Sequence, residues 1–302
     1  MITQPNSYQL QELKKLIVGS SPNAKTELIE YNLEHPKTDD QYLVIEQDDQ
    51  IISTLGISYF DINYSKRIIK TGYIHSLVTK IDYRERGHAN SLIREAINEL
   101  ENKCLFTYTS TYHPELFEKY DFKMIYYYKT YSIEKGYLNN ISKAGIDTNL
   151  NEQELLKIYE KYTSHFEGYI KRKQTYFNTI LKYVNEGLLD IVGYRDNKGL
   201  LLGYALYHIY NDKPIIKEII YLNSLALIKL CSYLIGDNNE LIINVSLAEC
   251  LDKVFPLILP KKVPYMMVRI NNYELLSKLI GKVVTTPTEV FNLLNKPLYI
   301  NI

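Results

Sequence analysis

One segment, Tyr73 to Ile93, constrains this 302-residue chain more than any other. It reads as an apolar strand through Thr79, a short turn carrying Arg84 and Arg86, and a helix that opens at Gly87 and Ala89. A strand running straight into a helix builds an anion site. The first backbone N–H groups of a helix lack intrahelical partners, and the positive end of its dipole faces whatever sits there. Gly87 has no Cβ, so a phosphate can approach the main chain closely. Arg84 and Arg86 add permanent charge and forked donors.

The spacing Arg84-x-x-Gly87-x-Ala89 resembles the diphosphate-binding signature of the GNAT N-acetyltransferase superfamily, Gln/Arg-x-x-Gly-x-Gly/Ala. Its context fits: a strand precedes it, a helix Ala89–Leu100 and a strand Cys104–Ser110 follow, and Leu116-Phe117-Glu118-Lys119-Tyr120-Asp121-Phe122 resembles the family's Phe-Tyr-x-x-x-Gly-Phe helix end. The resemblance covers roughly residues 1 to 135. It implies that Leu77, Val78 and Thr79 offer main-chain groups to a pantetheine arm, and that Arg84, Arg86, Gly87, His88, Ala89 and Asn90 cradle the diphosphate of acetyl-CoA. The bland alternatives are an ordinary central strand and a solvated helix cap.

Composition narrows the classes. Lys+Arg and Asp+Glu both number 35, so the formal charge is zero, which argues against a nucleic-acid surface. The three cysteines, Cys104, Cys231 and Cys250, are far apart and odd in number; they fit neither a disulfide framework nor a metal site and suit a reduced cytoplasm. The scattered histidines suggest no metal cluster. No signal-peptide pattern opens the chain, and its apolar runs are too short to span a bilayer. The abundance of tyrosine reads as compositional bias rather than as a tyrosine-based function.

The predicted elements are helices at Tyr8–Ile17 and Ala24–Leu33, strands at Tyr42–Glu46, Ile51–Tyr59 and Lys70–Lys80, and a further strand at Tyr126–Ile133. The polar stretch 136–150 reads as a linker. The second half repeats the order: helices Glu152–Phe166 and Lys171–Val184, strands Leu188–Tyr194, Leu200–Tyr210 and Pro214–Leu222, helix Ser224–Ile235, strand Glu240–Val245. Here only Asn223-Ser224 joins strand to helix, with neither Gly nor Arg. The expectation is an α/β (α+β) chain of two tandem GNAT-like domains, each a mixed, mostly antiparallel sheet with flanking helices: 1–135 binding acyl-CoA, 151–265 without a phosphate site, and 266–302 a short C-terminal extension. This arrangement resembles the enhanced intracellular survival acetyltransferases. That family adds a sterol-carrier-like third domain, for which the 35 residues after Met267 are too few. Its catalytic C-terminal carboxylate therefore cannot simply be carried over to Ile302. The end after Met267 could pack on a second copy, making a homo-oligomer.

Acetyl transfer to an amine needs a group that takes the amine's proton and helps the thiolate leave. No carboxylate lies on the strand Tyr73–Thr79. His75 shares a face with Tyr73 and Leu77 and is the candidate base, since imidazole titrates near neutrality; a satisfied core histidine is the competing reading. The family's acidic tyrosine falls on Phe117, and its glycine on Asp121. Tyr120 and Tyr112 are substitutes for the missing acid, each more readily read as a packing tyrosine. Glu218, in the matching strand of the second half, reads as structural or as lying at the domain interface. The expected function is acetyl-CoA-dependent N-acyl transfer to a small-molecule or peptide amine. Its rivals are a GNAT-fold acyl-CoA sensor that has lost turnover and a phosphate-binding protein of another α/β class; the last lacks a Walker-type lysine.

Overall fold

The computed structural model describes residues 2–21, 25–36 and 39–301. In chain order its elements are β1 (Ile2–Thr3), α1 (Leu10–Gly19), α2 (Thr26–Glu34), β2 (Gln41–Gln47), β3 (Gln50–Tyr64), β4 (Arg67–Thr79), α3 (His88–Glu101), β5 (Phe106–Thr109), α4 (Glu115–Glu118), β6 (Lys123–Glu134), β7 (Ile146–Asp147), α5 (Glu152–Thr163), β8 (Tyr169–Ile170), α6 (Gln174–Asn185), β9 (Asp190–Arg195), β10 (Leu201–Tyr210), β11 (Lys213–Tyr221), α7 (Ser224–Ile235), β12 (Glu240–Ser246), β13 (Lys261–Ile270), α8 (Tyr273–Ile280) and α9 (Pro287–Asn292). The expected mixed α/β class holds. Ala24, Pro22 and Ile302 lie outside the described residues, so neither the expected start of the second helix nor the terminal carboxylate can be placed.

The chain forms two compact units, each assembled from two stretches: residues 1–126 with 265–294, and 127–264 with 295–302. This differs from the boundaries expected at 135 and 265. The sequence reading followed the chain linearly, whereas strands are recruited from distant stretches. In the first unit the sheet runs β1-β2-β3-β4-β5-β13. β13 lies antiparallel to β5, with Met267 to Ile270 opposite Thr109 to Phe106. Residues 265–294 therefore complete the first unit instead of forming an extension.

β3 and β4 make a long hairpin whose turn residues Ser65 and Lys66 both have positive φ, 47° and 66°. Two positive φ values match the right-handed twist of the flanking strands. α3 buries Leu92, Ile93, Ala96, Ile97 and Leu100, a stripe at helical spacing, against Ile52, Leu55, Ile57 and Ile74 of the sheet. That packing fixes the start of α3 beside the end of β4.

In the second unit β11-β10-β9-β7 form one antiparallel sheet, while β12 pairs with β6 from Glu240↔Glu134 to Ser246↔Tyr128. Among the described residues no ladder joins β11 to β12. The C-terminal segment packs at this opening. Ser246 Oγ donates to the Leu298 carbonyl (3.1 Å), and Asn301 Nδ2 donates to the Lys217 carbonyl (3.1 Å) and to Glu218 Oε1 (3.2 Å). Lys217 is the extra residue of a bulge in β11. Glu218 is buried and paired with Arg172 at 2.7 Å, and it accepts from Tyr204 and Tyr299 at 2.9 and 3.1 Å.

Candidate active site

β4 pairs with β3 along one edge as far as Ser53↔Thr79. On its other edge it runs parallel to β5 only from Thr71↔Phe106 to Ile74↔Thr109. Beyond Ile74 the strands part, and among the described residues no ladder pairs the β5-side edge of β4 from Ser76 to Thr79. A bulge accompanies the parting. Gly56 pairs with His75 and Thr54 with Val78, so Ser76 and Leu77 oppose Leu55 alone, and Ser76 takes φ 49°.

The opening is a cavity of about 760 Å³. Its walls are β4 from Ile74 to Thr79, the turn Tyr83–Glu85, the first turn of α3 from Gly87 to Asn90, and the stretch Thr109–Phe117 beyond β5. Gly87 is the N-cap of α3, with φ 85° and no capping side chain. The helix's first internal bond is Ser91 N–H to the Gly87 carbonyl (3.1 Å). Helix geometry therefore leaves the N–H groups of His88, Ala89 and Asn90 without intrahelical acceptors. Two buried side-chain atoms of this turn, His88 Nε2 and Asn90 Oδ1, also lack a protein partner. Such atoms cost free energy unless a ligand or water meets them.

Of the expected cofactor residues, Leu77, Val78, Thr79, Arg84, Gly87, His88, Ala89 and Asn90 all line this cavity; Arg86 does not. The Arg86 guanidinium folds back, donating to the Asp82 carbonyl (2.8 Å) and lying over the Tyr83 ring. Arg84 Nε donates to the Thr79 carbonyl (3.3 Å), which ties the turn to the end of β4. Glu85, at φ 63°, lines the same mouth beside it.

His75 also lines the cavity. Its Nε2 lies 2.9 Å from Ser58 Oγ and its Nδ1 3.0 Å from Ser76 Oγ. The ring stacks on Tyr73 and meets Tyr42 edge-on. It occupies the space above Gly56, where a Cβ would come within 2.3 Å of Cε1. Burial holds the Tyr42 phenol up at about 12, so it stays protonated near neutrality.

The two catalytic candidates therefore part company. Tyr120 is absent from the cavity wall; its hydroxyl donates to the Asn90 carbonyl at 3.3 Å. One turn of α4 past Phe117 swings the side chain toward α3. Phe117, buried, stands on the wall in the place of the family's tyrosine. Asp121 holds φ 66°, the left-handed conformation that the glycine of the family motif would take, and Tyr273 donates to its carboxylate at 3.1 Å. Sequence reasoning passed over His113 and Glu115, which line the cavity with His113 Nδ1 3.1 Å from Glu115 Oε1. Their spacing, His-Pro-Glu at a helix start, was the available signal.

The second unit closes the matching region. Asn223 Oδ1 caps α7 by accepting from Ala226 N–H (2.9 Å). Glu249, just past β12, accepts from the hydroxyls of Tyr162 and Tyr221.

The comparisons agree with this geometry. The family model described as "Acetyltransferase (GNAT) domain" matches residues 8–125, and this part of the chain is a GNAT acetyltransferase domain. No curated protein matches the sequence. Among solved structures, a protein from Enterococcus faecalis described as a "Probable N-Acyltransferase" has TM-score 0.69 at 17% identity, covering 90% of this chain and 72% of that one. Eis1 from Mycobacterium abscessus gives 0.61 at 11% identity, covering 93% and 76%. A tandem GNAT protein from the clavulanic acid biosynthesis pathway gives 0.61 at 9% identity, covering 90% and 98%. The fold is thus that of tandem GNAT proteins over nine tenths of the chain.

Proposed function

We propose that this protein is an acyl-CoA-dependent N-acyltransferase, with acetyl-CoA as donor and the amine of a small molecule or peptide as acceptor. One observation carries the reading: the unpaired edge of β4 and the uncapped start of α3 open into a single cavity. A diphosphate suits the α3 end, where it would accept from the main-chain N–H groups and from a protonated His88 Nε2. Gly87, His88, Ala89 and Asn90 would hold it through the main chain, and Arg84 would add charge. Arg86 supports the turn through Asp82 rather than touching the ligand. Leu77, Val78 and Thr79 would pair with the pantetheine amides.

Bound there, acyl-CoA supplies an activated thioester carbonyl. His75 is placed to receive the proton of the amine, directly or through water, with Ser58 and Ser76 fixing the ring. Tyr120 serves as a brace for the first turn of α3. The second unit acts as scaffold, its strand opening packed with the chain's own C-terminal residues.

Phe117 favours one rival, an acyl-CoA sensor with little turnover, because a phenyl ring has no proton to give. The test is a thermal melt with acetyl-CoA joined to a thiol-release assay over an amine panel. Stabilisation with thiol release supports the enzyme, and stabilisation without release supports the sensor. No stabilisation rejects both. Among the described residues no helix is long and apolar enough to cross a membrane, and the cysteines are unpaired, which suits the cytoplasm.

A further inference from the structure

The leaving thiolate of such a reaction needs a proton, and neither Phe117 nor Tyr120 can deliver one from its observed position. We propose that His113, oriented by Glu115, is the leaving-group acid of this site; the inference rests on the acyltransferase reading above.

Three observations carry it. First, His113 and Glu115 flank the N-terminal end of α4 and line the same cavity as Phe117, the position from which the family's tyrosine would act. Second, the pair forms a defined dyad: Nδ1 lies 3.1 Å from Glu115 Oε1. A carboxylate only accepts, so the neutral ring keeps its proton on Nδ1 and the labile site is Nε2. The backbone is pinned as well, with His113 N–H donating to Thr111 Oγ1 at 3.0 Å and Pro114 following directly. Third, the two side chains are 70% and 65% accessible, so water can return a proton to Nε2 after each turnover. His75 stands one residue past the last β4–β5 pair and hydrogen-bonds Ser58 and Ser76. Base and acid are thus separate histidines.

The step balances without a further reagent. The amine nitrogen forms a bond to the acyl carbon, and its proton passes to His75 or to water. The carbon–sulfur bond breaks with its electron pair going to sulfur. The sulfur takes the proton from His113 Nε2, leaving a neutral imidazole bonded through Nδ1–H to Glu115. The other titratable groups lining the cavity are His75, Tyr83, Arg84, Glu85, His88 and Tyr112.

Two measurements on the full chain test the assignment. In the first, His113→Gln and Glu115→Gln are assayed for thiol release from acetyl-CoA and from an acetyl thioester of CoA-unlike, low-pKa aryl thiol. Loss of general-acid help lowers kcat with acetyl-CoA by about 10- to 1000-fold for His113→Gln, with KM little changed. The aryl thioester, whose thiolate leaves unaided, should lose less than about 3-fold. Glu115→Gln should fall between and move the pH profile. The second measurement reads binding alone: the affinity of CoA against that of desulfo-CoA. An imidazolium facing the sulfur favours the thiolate, so His113→Gln should weaken CoA several-fold and leave desulfo-CoA unchanged. Equal losses on both thioesters, or equal changes with both ligands, would overturn the proposal. If the unsubstituted protein binds acetyl-CoA but releases no thiol across the amine panel, the acyltransferase reading itself fails, and a CoA preference insensitive to His113 removes the dyad independently.

Discussion

Gly56→Ala is the sharpest perturbation of the proposed base, His75. The added Cβ would lie 2.3 Å from His75 Cε1, 2.7 Å from Nδ1 and 2.8 Å from Nε2. Those atoms belong to a flat ring on a strand where Gly56 and His75 are direct partners, so the strands cannot slide apart locally. The ring must rotate out. Doing so gives up the Ser58 and Ser76 hydrogen bonds, about 0.5–1.5 kcal/mol each, and the stacking on Tyr73, about 0.5–1.5 kcal/mol. A loss of about 2–4 kcal/mol follows. Displacing the base should also lower kcat by about 10²- to 10⁴-fold. Thermal melts and steady-state thiol release measure the two effects. The second substitution His75→Ala makes the argument refutable. It removes the obstacle, so Gly56→Ala on that background should cost less than about 1 kcal/mol, a coupling that a double-mutant cycle reads directly. Full additivity of the two substitutions, or a Gly56→Ala protein with unchanged stability and rate, would refute the ring's placement.

Gly87→Ala meets no atom within 4 Å but must hold φ 85°, so it should cost about 1–2 kcal/mol by backbone strain alone and shrink the acetyl-CoA-induced melting shift; a bulkier residue should abolish that shift. Glu249, its carboxylate buried although the residue as a whole is only partly so, is pushed up to about 7 by that burial. The folded state then binds more protons than the unfolded state between the ordinary carboxylate range and pH 7, so stability should fall as pH rises through that window, by at most about 3 kcal/mol, and Glu249→Gln should flatten the slope in melts from pH 5 to pH 8. Arg172→Met leaves Glu218 buried without its cation and should cost about 3–5 kcal/mol by denaturant titration, without altering the acetyl-CoA shift.

How much of this was legible in the sequence depends on whether the information is local. The strand, turn and helix start of the proposed anion site were legible because they are local, contiguous from Tyr73 to Asn90. The periodicity of Leu92, Ile93, Ala96, Ile97 and Leu100 placed α3 within a residue. The turn at Ser65-Lys66 was missed because neither residue is a strong turn former, and tertiary pairing of two long strands imposes the positive φ values. α9 was missed despite a readable signal: Thr286 caps it, Glu289 answers in a capping box, and Pro287 stands in the first turn. The recruitment of β13 to the first unit was not legible at all. Which stretch a strand pairs with is a non-local choice, and β13 carries nothing that distinguishes Thr107 from any other partner. Arg86 and Tyr120 lie off the cavity wall for a third reason, since side-chain direction at a turn or a short helix is not fixed by spacing.

The two units share an element order, yet they differ in what the parting strands expose. In both, a strand with a bulge ends beside a helix start, at Ser76 in one and Lys217 in the other. In the first unit the helix start is a left-handed glycine with no side-chain acceptor, and the freed strand edge faces a cavity. In the second, Asn223 satisfies the helix start and Asn301 satisfies the bulge carbonyl at Lys217. Unpaired main-chain donors are costly when buried, so each unit must supply partners from somewhere. The second draws them from its own chain. On the reading proposed above, the first leaves them to a ligand, and a phosphate-bearing thioester would present acceptors for the helix start and amides for the strand edge at once.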